Sequence, residues 1–266
     1  DYVDLLVAGD EPNSTMTESF VDIVKLGHAH NVPVYPCIPW LFWHYWAFLD
    51  MAVDEHRTLD EWIANLYCGD PKDLDKPCYL DVWNAWKGAA SSLRGAASNL
   101  WNAGADGIYV FNGFCGPDLG AWNELGDPKA LAKTDKVFGA DWFTLVSGAK
   151  ARELELNQGE LAEVHFQIGE NSTDEANLEL RCRLHLWNSA DGDDLYIKLN
   201  HHPLDEPARD SSTNRSTRDR WLEYVLDPSV VVKPGENRVE LLLKNRCRTA
   251  TAPLVLDAVQ LHLHHR

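Results

Sequence analysis

Leu178-Glu-Leu-Arg-Cys-Arg-Leu-His-Leu186 alternates apolar and polar residues without interruption, and this stretch decides the fold of the second half of the chain. Successive side chains of a β-strand point to opposite faces, so a period of two predicts a strand with one buried face. The same half repeats the theme in four further stretches: 195–199, 221–226, 238–243 and 254–263. Short strands at this spacing predict an antiparallel, jelly-roll-like β-sandwich over residues 152–266.

The first half of the chain, residues 1–147, is organised differently, because apolar strands alternate with helices. Three apolar runs are typical of parallel strands covered on both faces: 2–8, 32–39 and 108–111. Repeated strand–helix units imply parallel strands joined by right-handed crossovers. Three strands cannot close an eight-stranded barrel, so this half is predicted to be a piece of a larger α/β domain.

Helices between these strands are indicated by capping and periodicity. Thr15 and Glu18 have capping-box spacing, which predicts a helix that ends at Asn31. Residues 121–137 are predicted to form a last helix, interrupted at Pro128. The strongest amphipathic signal is a set of apolar residues at alternating three- and four-residue steps: Trp83, Trp86, Ala90, Leu93, Ala97 and Leu100.

Charge narrows the range of partners. Lys and Arg total 24 against 41 Asp and Glu, a formal net charge of −17. Such a field repels phosphate backbones and anionic lipid, so neither nucleic acid nor a membrane surface is expected as a partner. No apolar run approaches the ~20 residues of a membrane helix, so membrane insertion is not expected. The oligomeric state is left open.

The compartment is inferred from weaker signals. The chain starts at Asp1 and enters a buried strand at once, so we expect the natural N-terminus and any targeting segment to lie upstream. Asn13, Asn171 and Asn214 begin glycosylation-type triplets, although such triplets arise often by chance. Together these signals favour a secreted or cell-envelope protein.

Two carboxylates follow the first strand directly. Chemistry in parallel α/β folds lies at the carboxyl ends of strands, and Asp10 and Glu11 are the only carboxylates at such an end. Glycosidic cleavage uses a pair of carboxyl groups, so Glu11, or Asp10, is a candidate acid/base participant. The competing interpretation is a solvated loop acid or a charge at the start of a helix.

An aromatic segment follows the second strand: Trp40, Phe42, Trp43, His44, Tyr45 and Trp46. Flat rings fit the apolar faces of sugars, while indole N–H and phenol O–H groups bond sugar hydroxyls. The segment therefore indicates a sugar-binding surface, with His44 and, after the third strand, Asn112 as hydroxyl contacts. The competing interpretation is a lid or subunit contact that buries the rings as core.

Neither a cofactor nor a metal ion is predicted. The sequence contains no Gly-x-Ser-x-Gly elbow, no phosphate-binding Gly-Lys-Ser/Thr loop and no Gly-x-Gly-x-x-Gly fingerprint. Asp191-Gly-Asp-Asp194 is acidic but lacks the rest of a calcium loop, which favours a hairpin turn. Solvated side chains are favoured over a metal site at His262, His264 and His265.

Residues 86–112 resemble the last helix–strand units of bacterial glycosyl-hydrolase-like barrel proteins, the family 10-like group, and residues 124–136 resemble their closing helix. The resemblance covers about half of the chain and rests on helix and strand motifs. It implies the C-terminal portion of a (β/α)8 TIM-type barrel, about three strand–helix units, followed by an accessory sandwich. Classical retaining members of such barrels carry a nucleophilic Glu after the seventh strand, where this chain has Pro36-Cys-Ile-Pro-Trp40 and no carboxylate.

The resulting prediction is a glycoside-hydrolase-like protein that cleaves a glycosidic bond in a poly- or oligosaccharide. Glu11 or Asp10 would act in acid/base chemistry. The stacking surface would consist of Trp40, Trp43 and Trp46. The alternative is a non-catalytic carbohydrate-binding or cell-surface protein on a degenerate barrel. A third option is a structural sandwich that attaches the protein to a partner and has no affinity for glycans.

Overall fold

The computed structural model describes residues 5–9, 18–39, 77–111, 122–140, 154–170, 178–214, 219–227 and 233–265. Within these ranges strands predominate, and they form a small parallel sheet and two larger antiparallel sheets.

The parallel sheet contains three strands in chain order, β1 (Leu6–Gly9), β2 (Val34–Pro39) and β3 (Tyr109–Phe111). Helix α1 (Glu18–Ala29) lies between β1 and β2 in the sequence, and α2 (Pro77–Asn102) precedes β3. The structure thus has the parallel pairing that the apolar runs predict.

One face of this sheet is covered and the other is open. Helix α1 packs on β2 so closely that a Cβ on Gly27 would lie 2.3 Å from a methyl carbon of Val34. Residues that pair across neighbouring strands share a face of the sheet. Val34 pairs with Leu6, so the next residue, Val7, lies on the opposite face. On that second face Leu5 is 51% exposed, and Val7 and Tyr109 are each 45% exposed. Among the described residues, this second face of the sheet is thus apolar and about half exposed.

Asp106 joins three segments at the amino ends of the strands. Its Oδ2 accepts a hydrogen bond from the Val34 amide at 2.8 Å and lies 2.8 Å from His28 Nε2. The Val34 amide and His28 together lower the pKa of Asp106 below its ordinary value, because both favour the carboxylate. This contact ties the end of α1 to the start of β2 and to the turn before β3.

The larger antiparallel sheet has six strands within the described ranges. Two of these strands lie one after the other along the same edge of a longer strand. The sheet runs from β10 at one edge to β4 and β5 at the other: β10 (Arg209–Asn214), β11 (Asp219–Leu226), β7 (Leu178–Trp187), β13 (Leu254–His265), β4 (Lys136–Ala140) and β5 (Leu154–Leu156).

The second antiparallel sheet and the first share one hydrophobic core. The second sheet has four described strands: β6 (Leu161–Ile168), β12 (Gly235–Asn245), β8 (Asp194–Leu199) and β9 (His202–Pro203). Leu180, Leu184 and Leu186, the apolar positions of β7, are fully buried and cluster with Phe166 and Val239 of the other sheet. Two sheets that pack face to face are compatible with the predicted sandwich.

The interrupted helix that the sequence predicts over residues 121–137 is present only in part within the described residues 122–137. The structure has two single turns, α3 (Trp122–Leu125) and α4 (Pro128–Leu131), and then strand β4. Asp127 caps α4 by accepting the Lys129 amide at 2.9 Å. Phe138 of β4 pairs with Leu261 of β13, and both are fully buried. Tertiary pairing therefore overrides the local helical pattern. The predicted boundary, residues 147–152, lies outside the described residues.

Candidate functional site

The three parallel strands end at one edge of their sheet. In the sheet register Gly9 lies opposite Cys37, and Pro39 lies opposite Phe111. Strand β1 therefore ends two residues short of the other two strands, a stagger of about 7 Å at ~3.3 Å per residue. This carboxyl edge is where parallel α/β proteins place their chemistry.

All predicted site residues lie outside the described residues, so their roles stay predictions. In the sequence, the two acids follow β1 directly, the aromatic segment follows β2, and an asparagine follows β3. The full set is Asp10, Glu11, Trp40, Trp43, His44, Trp46 and Asn112. The structure thus describes the strands that lead to these residues.

A row of aromatic and charged side chains crosses the outer face of the six-stranded sheet. The Trp221 ring stacks on His185 at a centroid distance of 4.5 Å and an angle of 17°. The Arg183 guanidinium lies 4.4 Å from the centroid of Trp221, and Trp187 meets His185 edge-on at 5.4 Å. His185 is 0% exposed and Trp221 2% exposed, although alternation predicts that this face is solvated.

Ion pairs extend this row along β7 from Arg183 to Arg181. Glu223 binds Arg181 on one side and lies 3.5 Å from Arg183 Nε on the other. Arg181 donates hydrogen bonds to Glu179 and Glu223, and these bonds raise the pKa of Arg181 because they favour the charged guanidinium. The sequence signal for this row is that Arg, His and Trp stand at the outward positions of the strands. Alternation alone predicts that side chains at these positions are exposed to solvent.

His262 lies on the same outer face as Arg181 and differs from the predicted solvated histidine. Burial of the imidazole, with the charge of Arg183 next in importance, holds the pKa of His262 well below its ordinary value. Its Nε2 lies 2.9 Å from Gln260 Oε1. His264, by contrast, is 44% exposed and lies 3.3 Å from Asp135. His262 is therefore a neutral packing residue near neutral pH.

The acidic stretch at residues 191–194 is a structural turn. It joins β7 to β8, which belong to different sheets, so the predicted hairpin is wrong although the turn is present. The buried carboxylate of Asp193 pairs with Arg246 and accepts the amides of Ala190 at 2.8 Å and Cys247 at 2.9 Å. Within the described ranges, no three His, Cys, Asp or Glu side chains are grouped to hold a metal ion. Among the described helices, none has the length and apolar character that a bilayer crossing requires.

Comparison with known proteins gives structural neighbours only. No protein-family model matches the chain, and no curated protein matches it. BuGH86 in complex with neoagarooctaose aligns at 18% identity and a TM-score of 0.35, over 48% of this chain and 18% of that chain. A variant of BuGH86 with the same ligand gives the same values.

A third neighbour is BpGH86A, a β-porphyranase of glycoside hydrolase family 86 from the human gut bacterium Bacteroides plebeius. It aligns at 13% identity and a TM-score of 0.31, over 48% of this chain and 20% of that chain. The chain thus spans about a fifth of the length of these structures. These neighbours are family 86 glycoside hydrolases and not members of the family 10-like group.

Proposed function

We propose that the chain is part of a carbohydrate-active protein that hydrolyses a glycosidic bond in a poly- or oligosaccharide. The observation that carries the proposal is the common edge at which β1, β2 and β3 end. Acids, aromatic rings and an amide follow these three ends in the sequence, and this combination suits a neutral, hydroxyl-rich ligand. The net charge of −17 also favours a neutral ligand over a nucleic acid.

The proposal for the fold is that β1–β3 are consecutive strands of a (β/α)8 barrel. The strands follow chain order in the sheet, and helical segments separate them in the sequence, as a barrel requires. Helix α1 covers one sheet face, while the opposite face exposes Leu5, Val7 and Tyr109. Parallel sheets are normally buried on both faces, so we assign the open face to the barrel interior, which further strands would cover.

The proposed roles follow from the chemistry of the side chains. Glu11, or Asp10, acts as one acid/base group, and the tryptophans of the aromatic segment stack on the sugar. His44 and Asn112 bind hydroxyl groups. Cleavage needs a second carboxyl group across the bond, and the stretches 40–46 and 112–115 contain none. The proposal therefore requires this second carboxyl group from another strand end.

The first experiment is a glycan-array screen of the full-length protein beside a Trp40→Ala/Trp43→Ala double variant. We expect the double variant to lose binding, because it removes two stacking rings. Trp187→Ala is the matched control, since it removes an indole from the sandwich. If neither the wild-type protein nor either variant binds any glycan, the proposal is wrong.

A second substitution separates the enzyme from the non-catalytic alternative. Glu11→Gln keeps the shape of the side chain and removes its charge and proton transfer. In the enzyme it should reduce turnover about 100-fold or more with little change in affinity. A wild-type protein that binds glycans but cleaves none of them would favour the binding protein.

A further inference from the structure

Two glycines allow α2 to contact the sandwich strands backbone to backbone. A Cβ on Gly95 would lie 2.0 Å from the carbonyl oxygen of Val137 in β4. A Cβ on Gly169, directly after β6, would lie 2.4 Å from the carbonyl oxygen of Ser98 in α2. Any larger residue at either position would require the backbones to separate.

Buried polar groups hold the same place together. Asn99 of α2 is buried and donates from Nδ2 to the Gln167 carbonyl of β6 at 3.0 Å. The side chain of Lys136 in β4 is fully buried. Its ammonium group lies 2.8 Å from Glu170 and donates a hydrogen bond to the Thr134 carbonyl at 2.9 Å. A buried ammonium is stable only with its partners, so these contacts fix β4 against the end of β6.

The outer faces of the two antiparallel sheets differ in exposure. On the four-stranded sheet Leu161 is 57% exposed and the side chain of His165 is 46% exposed. On the six-stranded sheet Arg183, Trp221 and Gln260 are all buried. In an isolated two-layer sandwich both outer faces are exposed to solvent. Burial on the six-stranded sheet is local, because Val225, which lies on the same face and pairs with Arg181, is 58% exposed.

We infer that the sandwich is not a detachable accessory domain but forms one cooperative folding unit with α2. The inference is independent of the proposed function, because it concerns folding and not a ligand. Strand β4 completes the edge of β13 in the sandwich, and α2 lies along β4 and covers that edge. The sandwich in turn holds the helix that leads into β3.

The sign of one substitution tests the inference in the full chain. Gly95 lies in a helix interior, where alanine is intrinsically the better helix former, so Gly95→Ala would raise the Tm if α2 were free of β4. In the packed structure the added methyl group overlaps Val137, and we expect the Tm to fall by roughly 4–8 °C. Gly126→Ala is the matched control, because a Cβ there meets no atom within 4 Å.

A higher or unchanged Tm for Gly95→Ala would overturn the inference. If that variant does not fold, hydrogen exchange on the wild-type protein decides the question. One cooperative unit predicts that the slowest amides of α2 and of β13 open with protection factors equal within about tenfold. Protection of α2 that is lost while β13 stays protected would show two independent units.

Discussion

The substitution Phe138→Ala tests how much the packing of β4 contributes to the stability of the sandwich. The Phe138 side chain is 0% exposed and belongs to the core that both sheets share. Removing a buried phenyl ring costs about 3–5 kcal/mol, the sum of lost burial and the cavity left behind. At roughly 2–4 °C per kcal/mol for a chain of this size, the Tm should fall by about 6–20 °C.

The assay is thermal and urea unfolding followed by circular dichroism. Val225→Ala is the control in the same sheet, because Val225 is 58% exposed on β11 and its loss should cost less than about 0.5 kcal/mol. If the two variants unfold at the same temperature, Phe138 does not pack in the core, and the pairing of β4 with β13 must be rejected.

Three further predictions concern titratable groups. The pKa of Asp106 is lower in the folded state, so this carboxylate stabilises the protein at pH values above its unfolded pKa of ~3.9. The difference in unfolding free energy between the wild-type protein and Asp106→Asn should therefore shrink as the pH falls through the folded pKa. Urea unfolding at pH 7 and pH 3 tests this, and a difference of the same size at both pH values contradicts it. The pKa of His262 is lowered in the folded state, so the free energy of unfolding should fall as the pH drops below ~6.5, where only the unfolded state gains the proton. His262→Gln should make the free energy of unfolding depend less on pH in this range. An unchanged pH dependence would refute the assignment. Burial raises the pKa of Cys182 to about 12, while hydrogen bonds with Thr249 lower the pKa of Cys247. A thiol reagent should therefore label Cys247 before Cys182, as mass spectrometry can show, and labelling of Cys182 first would contradict the buried core.

The strands of the sandwich could be predicted because their signal is local. The alternation at residues 178–186 fixes which side chains face the core, and the structure buries Leu180, Leu184 and Leu186 as that pattern requires. Strand β4 could not be predicted in this way. Its short sequence also fits a helical pattern, and the partner that makes it a strand, β13, lies far away along the chain.

Burial of the row at Arg183, His185 and Trp221 was missed for a related reason. Period-two alternation states that these side chains share a face, and it does not state whether another part of the molecule covers that face. The carboxyl edge, by contrast, was predictable, because parallel strands linked by crossovers have to end on the same side.

The pairing of Phe138 with Leu261 also sets an order of events during protein synthesis. A ribosome releases β4 long before β13, so the apolar side of β4 stays without its partner until β13 has also emerged. Chaperone demand should therefore persist until β13 has been synthesised. A premature stop codon before β13 would not yield a shorter sandwich; it would leave an unpaired strand in the middle of the molecule.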